Sequence, residues 1–399
     1  MRRIGLVSVA RSDYGAYLPI LRSIQGDVGL QLQLIVAGAH LMPEFGSTVD
    51  AITADGFEIA ERVDMLSASD TPEAIAEAMG RGTAGFARAY ARLRPDLLVV
   101  LGDRFEMHAA ALAALPMKIP VAHIHGGELT QGAIDDALRH SMTKLSHLHF
   151  VATEAYARRV LQMGEEPWRV TICGAPSLDR LRTMSLWDRA ELARRFSLRL
   201  DGDVRLVTFH PVTLEYEQTR WQVEELLAAL EDVEGSSIFT APNADTNGRL
   251  IRSMLRAFVD RHPQAQLIEN FGTQGYFSLM AIATAMVGNS SSGIIEAPSF
   301  HLPVVNIGTR QDGRLRAENV IDVGYGRDDI RRGLAMACSP AFRRTLIGRP
   351  NPYGDGRAAD IIVTRLREVT LDDRLIRKRF VDLPVTPARA ARAEAVHAS

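Results

Sequence analysis

Short apolar runs that break off at polar clusters, each followed by a helix-spaced stretch, constrain this chain more than any other feature. Runs near 3–9, 31–37, 97–101, 119–123, 148–152 and 169–173 alternate with helical patterns, the βαβ rhythm of a parallel sheet. A pause at Gly174-Ala-Pro-Ser177 reads as a hinge or linker, and the rhythm then restarts with strands at 204–209, 236–240, 266–268, 285–287 and 303–306. Open sheets of this kind place ligands in the crevice beyond the carboxyl ends of their strands. The densest polar clusters stand at such ends between Asp96 and His149, so the chemistry is expected there.

The pattern implies an α/β protein of two Rossmann-like domains, their parallel sheets facing each other across a cleft. At 399 residues the chain outgrows one ordinary core and suits two of roughly 150–200 residues each. The expected division is 1–175, 176–368 and a C-terminal segment 369–399, whose Pro, Ala and Arg-rich end from Pro384 is expected to be disordered. A net charge of −2 gives no electrostatic reason for a nucleic-acid or anionic-membrane partner. No apolar run approaches the roughly 20 residues of a bilayer span. Ile4–Ala10 behind Met1-Arg-Arg imitates a signal peptide, but Arg11 and Asp13 end it and it reads better as a first strand. Cys173 and Cys338 make neither a disulfide framework nor a zinc site, which points to the cytoplasm. Gly80–Gly85 matches the dinucleotide fingerprint by letters, yet it lies inside a helix expected over 72–93, capped by Thr71, and follows no strand.

Gly288-Asn-Ser-Ser-Ser-Gly293 follows a strand and opens a helix expected over 292–299. Its small residues let a ligand approach the backbone, and free N–H groups at a helix start attract an anion. Three serines between two glycines exceed ordinary N-capping, so Ser290 and Ser291 are candidates for phosphate contact, and Glu296 one turn on for ribose hydroxyls. Arg11, His210, Asn243 and Arg310 stand at matching strand ends. Each is weak alone, but with the serine loop they describe one anion site, for which the arginine fork is well suited.

Asp103 and Arg104 close the strand 97–101, where Asp103 suits an N-cap as well as a base in the cleft. His123 and His125 share one face of a strand end. Their HxH spacing is compatible with a metal, but no cysteine partner or Glu-bearing zinc helix accompanies it, and no metal is expected. Glu128, after two glycines, is expected to be more exposed than a core residue. On the helix from Ala133, the spacing assigns Ile134, Ala137, Leu138, Met142 and Leu145 to the core face. Asp135–Arg139 and Asp136–His140 remain as i,i+4 surface pairs, which alone are ordinary helix salt bridges. The crowding of Asp103, Glu128, Asp135 and Asp136 near adjacent strand ends favours acid–base work, because like charges raise the proton affinity of one member.

Taken in order, Arg11-Ser-Asp-Tyr-Gly15, Leu101-Gly-Asp-Arg-Phe-Glu106, His123-Ile-His-Gly-Gly-Glu128, Arg139-His-Ser-Met-Thr-Lys144, Gly288-Asn-Ser-Ser-Ser-Gly293 and Asn306-Ile-Gly-Thr-Arg310 resemble the hydrolysing UDP-N-acetylglucosamine 2-epimerases of bacterial sialic-acid and related nonulosonic-acid synthesis. The resemblance runs from the first strand to Phe380-Val-Asp-Leu-Pro384. It implies a GT-B-like pair of domains with a UDP-sugar between them. By that likeness Arg11, His210, Ser290, Ser291, Glu296 and Arg310 hold UDP, with Arg104 and Asn243 as further candidates. Asp103, Glu128 and Asp135 or Asp136 supply acid–base groups, and either His125 or Glu128 carries a proton. Non-hydrolysing relatives carry Glu-Ala-Gly where this chain has His125-Gly-Gly, which points to the hydrolysing branch. No cofactor is implied, and a homodimer is the default assembly. The rival expectations are a GT-B glycosyltransferase, a metal-dependent hydrolase built on the HxH pair, and a nucleotide-sugar sensor without turnover.

Overall fold

Uninterrupted Val, Leu and Ile runs bury on both faces, as strands of a helix-covered parallel sheet must. The computed structural model describes residues 1–43, 48–242 and 245–384 and contains two such sheets. The first comprises β1 (Arg2–Ser8), β2 (Leu30–Ala37), β3 (Ile59–Val63), β4 (Leu97–Leu101), β5 (Val121–Ile124), β6 (Leu148–Val151) and β7 (Val170–Ile172), in the order 3-2-1-4-5-6-7. The second comprises β8 (Val204–Thr208), β9 (Ser236–Thr240), β10 (Ala265–Ile268), β11 (Ala285–Gly288), β12 (Val304–Ile307) and β13 (Val320–Val323), in the order 10-9-8-11-12-13. All the pairings are parallel. Each sheet reverses its winding beside its first strand, between β1 and β4 and between β8 and β11. Such a switch point opens a crevice at the carboxyl ends.

The expected α/β architecture with two facing sheets is the one observed. Edge strands β3 and β13 carry no clear apolar run, and the sequence pattern missed both. In β3 the exposed Arg62 follows the half-buried Glu61, and such charges keep an edge from pairing with another chain. The helix expected over 292–299 is instead one α-turn, Ser292–Ile295, and a 3₁₀ turn, Ala297–Phe300. Pro298 cannot donate to the i−4 carbonyl and crowds it, so the α-helix ends before it. The tail from Val385 lies outside the described residues. Among the described residues, no helix is long and apolar enough to cross a membrane.

The chain crosses between the halves twice. The outward crossing passes Gly174, and the return passes Gly354, with backbones in contact and the Ala175 N–H donating to Tyr353 O at 2.8 Å. After the return, the helix Ala358–Glu368 buries Ala358, Ile362, Val363 and Leu366 in the core of the first sheet, not in that of the second half where the division at 368 puts them. Its apolar face finds a partner in the helix Arg11–Gly26, which a sequence division by order alone misses. Polar contacts fasten the segment beyond it. Arg169, 1% exposed, donates to the carbonyls of His147, Leu375 and Arg374, and Lys378 donates to those of Lys144 and Ser146 at the end of the helix Asp135–Leu145.

Lys378 and Lys144 meet the buried Glu165 at 2.8 and 2.6 Å, and His149 Nε2 lies 3.0 Å from its other oxygen. Burial alone raises the Glu165 carboxyl, but the bonds from His149 and the two lysines outweigh it and hold it at about 2. Because this folded value lies below the unfolded one, the stabilisation is complete above about pH 4.5 and drains away as pH falls toward 2. Glu165→Ala strands these cations, and urea denaturation at pH 7 should show a loss of roughly 3 kcal/mol that shrinks on acidification below pH 4.5.

Candidate active site

The strand ends beside both switch points open into one cleft with about 1920 Å³ of empty space, counted to its mouth. Arg11, Asp13, Asp103, Arg104, His125, Glu128, Asp135 and Arg139 line it from the first half, and His210, Ser290, Ser291, Glu296, Arg310 and Arg314 from the second. Asp136 does not line it, and Asn243 lies outside the described residues.

At the end of β5 the chain leaves the sheet abruptly. His125 has φ +67°, a left-handed conformation costly for a residue with a side chain, and such strain gathers at functional sites. Gly127 follows with φ +76°, where a Cβ would stand 2.5 Å from Tyr156 O. This turn separates the two histidines that the sequence places on one face. His123 stays in the sheet, fully buried, with Nε2 2.7 Å from Gly102 O and Nδ1 3.3 Å from Thr143 Oγ1. Burial pushes its pKa down to about 3, so it is neutral and holds the peptide before Asp103. His125 turns into the cleft, so the two rings do not form a chelating pair.

Glu128 is 1% exposed, against the expectation of an open loop residue. Its Oε1 lies 2.6 Å from His125 Nδ1 and its Oε2 3.3 Å from Arg314. Burial favours a proton on this carboxyl, but Arg314 and His125 prevail and hold its pKa below the ordinary value. A carboxylate behind an imidazole fixes the ring's orientation and leaves Nε2 as its remaining acceptor.

The helix Asp135–Leu145 is turned differently from its apolar spacing. Arg139, Met142 and Thr143 are its buried residues, while Ile134 and Ala137 are exposed. Arg139 therefore leaves the expected surface pair with Asp135 and is bonded to Asp103. Asp135, the first residue of this helix, faces Asp245 and Arg310 across the cleft. Burial and the neighbouring Asp245 raise its pKa, which favours its protonated form. Asp136 turns away, where its Oδ1 accepts the Thr130 N–H at 2.6 Å and its other oxygen lies 3.6 Å from His140. Arg104 is clamped by Glu106 at 3.1 Å and by Asp245 of the second half at 3.6 Å, so it acts as a strut between the halves.

In the second half, Gly288 (φ +130°) admits no side chain, since a Cβ would stand 1.9 Å from Thr208 O. Asn289, fully buried, accepts the His210 N–H at 2.7 Å and donates to His210 O at 2.9 Å, while its own carbonyl accepts from Arg310 and Gln311. One residue, through its side chain and its main-chain carbonyl, thus ties together the ends of β8, β11 and β12. Burial drives the His210 pKa well down, and Arg310, Arg104 and Arg11 add to the effect. The helix after the serines is too short for a strong dipole, so the positive charge beside this loop comes from the cleft-lining Arg11 and Arg310. Glu296 accepts from Ser177 Oγ on the outward crossing, and burial lifts its pKa to about 7.

The sequence model of the family described as UDP-N-acetylglucosamine 2-epimerase matches residues 22–367. The chain belongs to that family. It is 41% identical over 385 residues to a GDP/UDP-N,N'-diacetylbacillosamine 2-epimerase (hydrolyzing) of Campylobacter jejuni, covering 96% of this chain and 99% of that one. It is 36% identical over 378 residues to a UDP-N,N'-diacetylbacillosamine 2-epimerase (hydrolyzing) of Legionella pneumophila, covering 95% and 99%. Among solved structures, the UDP-GlcNAc 2-epimerase of Neisseria meningitidis bound to UDP-GlcNAc matches with TM-score 0.77 at 20% identity, over 92% of this chain and 99% of that one. That likeness is one of fold, and the fold is GT-B-like.

The epimerase-family cleft brings together most residues expected from sequence and omits Asp136. Sequence reading missed Asp13, Arg314 and Tyr276, which also line it. Asp13 carried a signal as the acid beside Arg11. Arg314 and Tyr276 lay in loop and helix patterns with none. Asp136→Ala should lower the unfolding free energy by about 1–3 kcal/mol, because the Thr130 N–H loses its acceptor. Asp135→Asn should leave stability unchanged or raised, since it relieves the repulsion from Asp245. Urea denaturation of the two variants checks the contrast.

Proposed function

We propose that this chain is a hydrolysing 2-epimerase that converts UDP-2,4-diacetamido-2,4,6-trideoxyglucose (UDP-N,N'-diacetylbacillosamine) to UDP and the free manno sugar. The carrying observation is one cleft in which a cationic wall from the second half faces a histidine–carboxylate pair and two further aspartates from the first. The names of the Campylobacter and Legionella relatives support the diacetamido sugar. The family's own description supports UDP-N-acetylglucosamine as the second reading. The acting unit is taken to be a cytoplasmic homodimer, the commonest symmetric assembly, with Cys173 and Cys338 as thiols.

In this reading Arg11, Arg310, His210 and the loop Ser290–Ser291 hold the diphosphate, and Glu296 meets the ribose. Their N–H groups meet the charge that builds on UDP as the C1–O bond breaks. Positive charge then spreads over the ring, and the C2 proton becomes removable by Asp103, which Arg139 holds in place. Loss of that proton with UDP gives a 2-acetamidoglycal. Water next adds its oxygen to C1 while C2 takes a proton from the opposite face, which inverts C2 and leaves the hydroxyl on C1. Glu128 is buried behind His125 with both oxygens engaged, so His125 is the member of that pair that meets the substrate. Asp135, with its raised pKa, is the second proton source.

Asp103→Asn should reduce turnover by about 100-fold or more, the usual size of an acid–base contribution, with UDP affinity nearly unchanged by calorimetry. Equal loss of both would make Asp103 structural. Incubation of each UDP-sugar without any acceptor, in heavy water, should release UDP and a free manno sugar carrying one deuterium at C2, read by NMR. A product without deuterium at C2 would refute the elimination route, and the absence of any acceptor-free product would favour a glycosyltransferase.

A further inference from the structure

The loop that follows β12, Thr309–Arg316, docks on Leu129–Gly132 of the opposite half. The Gln131 N–H donates to Asp312 O at 3.1 Å, and a Cβ on Gly132 would lie 2.6 Å from Thr309 O. From this loop Arg314 reaches across the cleft. Its Nη2 lies 3.3 Å from Glu128 Oε2, its Nε donates to Leu129 O at 3.3 Å, and its side chain is 7% exposed. Two tyrosines hold the next residue, Leu315, at its N–H and at its carbonyl. The Leu315 N–H donates to Tyr156 Oη at 3.0 Å, Tyr353 Oη donates to Leu315 O at 2.9 Å, and the two hydroxyls lie 2.7 Å apart. That assignment lets Tyr156 donate to Tyr353, so every proton in the chain has an acceptor.

We propose that Arg314 is a positioning residue of the acid–base pair. Brought in by the nucleotide-holding half and aimed by the Tyr156–Tyr353 clamp, it keeps Glu128 a carboxylate facing His125. The proton chemistry of the first half is thereby conditional on the docking of the second. The inference rests on the reading above, that the His125–Glu128 pair moves a proton. Glu128 is faced by His125 from its own loop, His123 from β5, Tyr156 from the helix Glu154–Gln162, Tyr353 from the return crossing, and Arg314. Burial raises both tyrosines above their ordinary value, so they are neutral, and His123 is neutral as well. Among these groups Arg314 is the one with a permanent positive charge, and a carboxylate this deeply buried needs one. Glu296, on the same side of the cleft, also contributes to the charge balance, because its carboxyl favours the charged form of Arg314.

The test is the titration of the pair, read at the His125 ring by NMR of histidine-labelled full-length protein without substrate, with a His125 variant for assignment. Removing a positive neighbour favours protonation of either member, so Arg314→Gln should raise the midpoint by about one pH unit or more. Arg314→Lys, which keeps the charge, should restore most of it. Tyr353→Phe keeps the ring and loses the bond to Leu315 O. It should move the midpoint the same way by less, and it decides the matter where Arg314→Gln does not fold. In kinetics, Arg314→Gln should lower kcat about tenfold or more and shift the acidic limb of its pH profile upward, with UDP affinity held. An unmoved midpoint, or loss of UDP affinity in step with kcat, overturns the proposal. A wild-type chain that releases no sugar from either UDP-sugar sinks the functional reading instead, and the midpoint still decides the role of Arg314.

Discussion

A carboxylate almost wholly removed from water needs a cation beside it, and Glu128 finds that cation in the other half of the molecule. The 3.3 Å contact with Arg314 is therefore more than a contact between domains. It makes the charge state of a group on β5's loop depend on a loop that follows β12, about 190 residues later in the chain. Arg104 and Asp245, at 3.6 Å, repeat the device with the charges exchanged. The two halves are thus joined by ion pairs at the cleft, whose walls both of them supply.

The same logic explains why the strand ends are so heavily braced. His123, Asn289 and Thr143 are buried polar residues that touch no cleft space, yet each fixes a backbone segment carrying a cleft residue. His123 fixes the peptide before Asp103, Thr143 bonds the Arg139 carbonyl, and Asn289 fixes the backbone of His210 while its own carbonyl receives the Arg310 guanidinium. A site that must distinguish two faces of a sugar ring needs its groups placed to a fraction of an ångström, and rigid hydrogen bonds behind the groups supply that. The strained backbone at His125 belongs to the same pattern, since it turns one histidine of an HxH pair into the cleft and leaves the other as a support.

The return of the chain to the first half adds a second level of bracing. The helix Ala358–Glu368 completes the first core, and Lys378 caps the carbonyl end of the helix whose amino end carries Asp135. Both crossings meet backbone to backbone at Gly174 and Gly354, and Tyr353 sits immediately beside that contact. One of the two tyrosines that clamp the Arg314 loop thus stands on the crossing itself, which links the way the chain passes between the halves to the placing of Arg314 beside Glu128.

Much of this was legible in the residues alone. Apolar runs ending in polar clusters determine two parallel sheets with ligands at their carboxyl ends, because periodicity and burial are local properties. The ordered motifs likewise pointed to Arg11, Asp103, Glu128, His210, the serine loop and Arg310, all of which line the cleft. What the letters did not reveal is how side chains are apportioned between cleft and core. The spacing on the helix Asp135–Leu145 favours Ile134 and Ala137 inward, yet the half-buried Asp103 and the buried His123 draw Arg139 and Thr143 in, since an ion pair and a hydrogen bond behind the site outweigh two small apolar faces. Asp135 and Asp136 are neighbours with equal sequence credentials, and only the roll of that helix gives one to the cleft and the other to the Thr130 N–H. Arg314 had no local signal at all. Its partner belongs to another domain, and contacts between distant segments are set by how the two sheets dock, which no local pattern encodes.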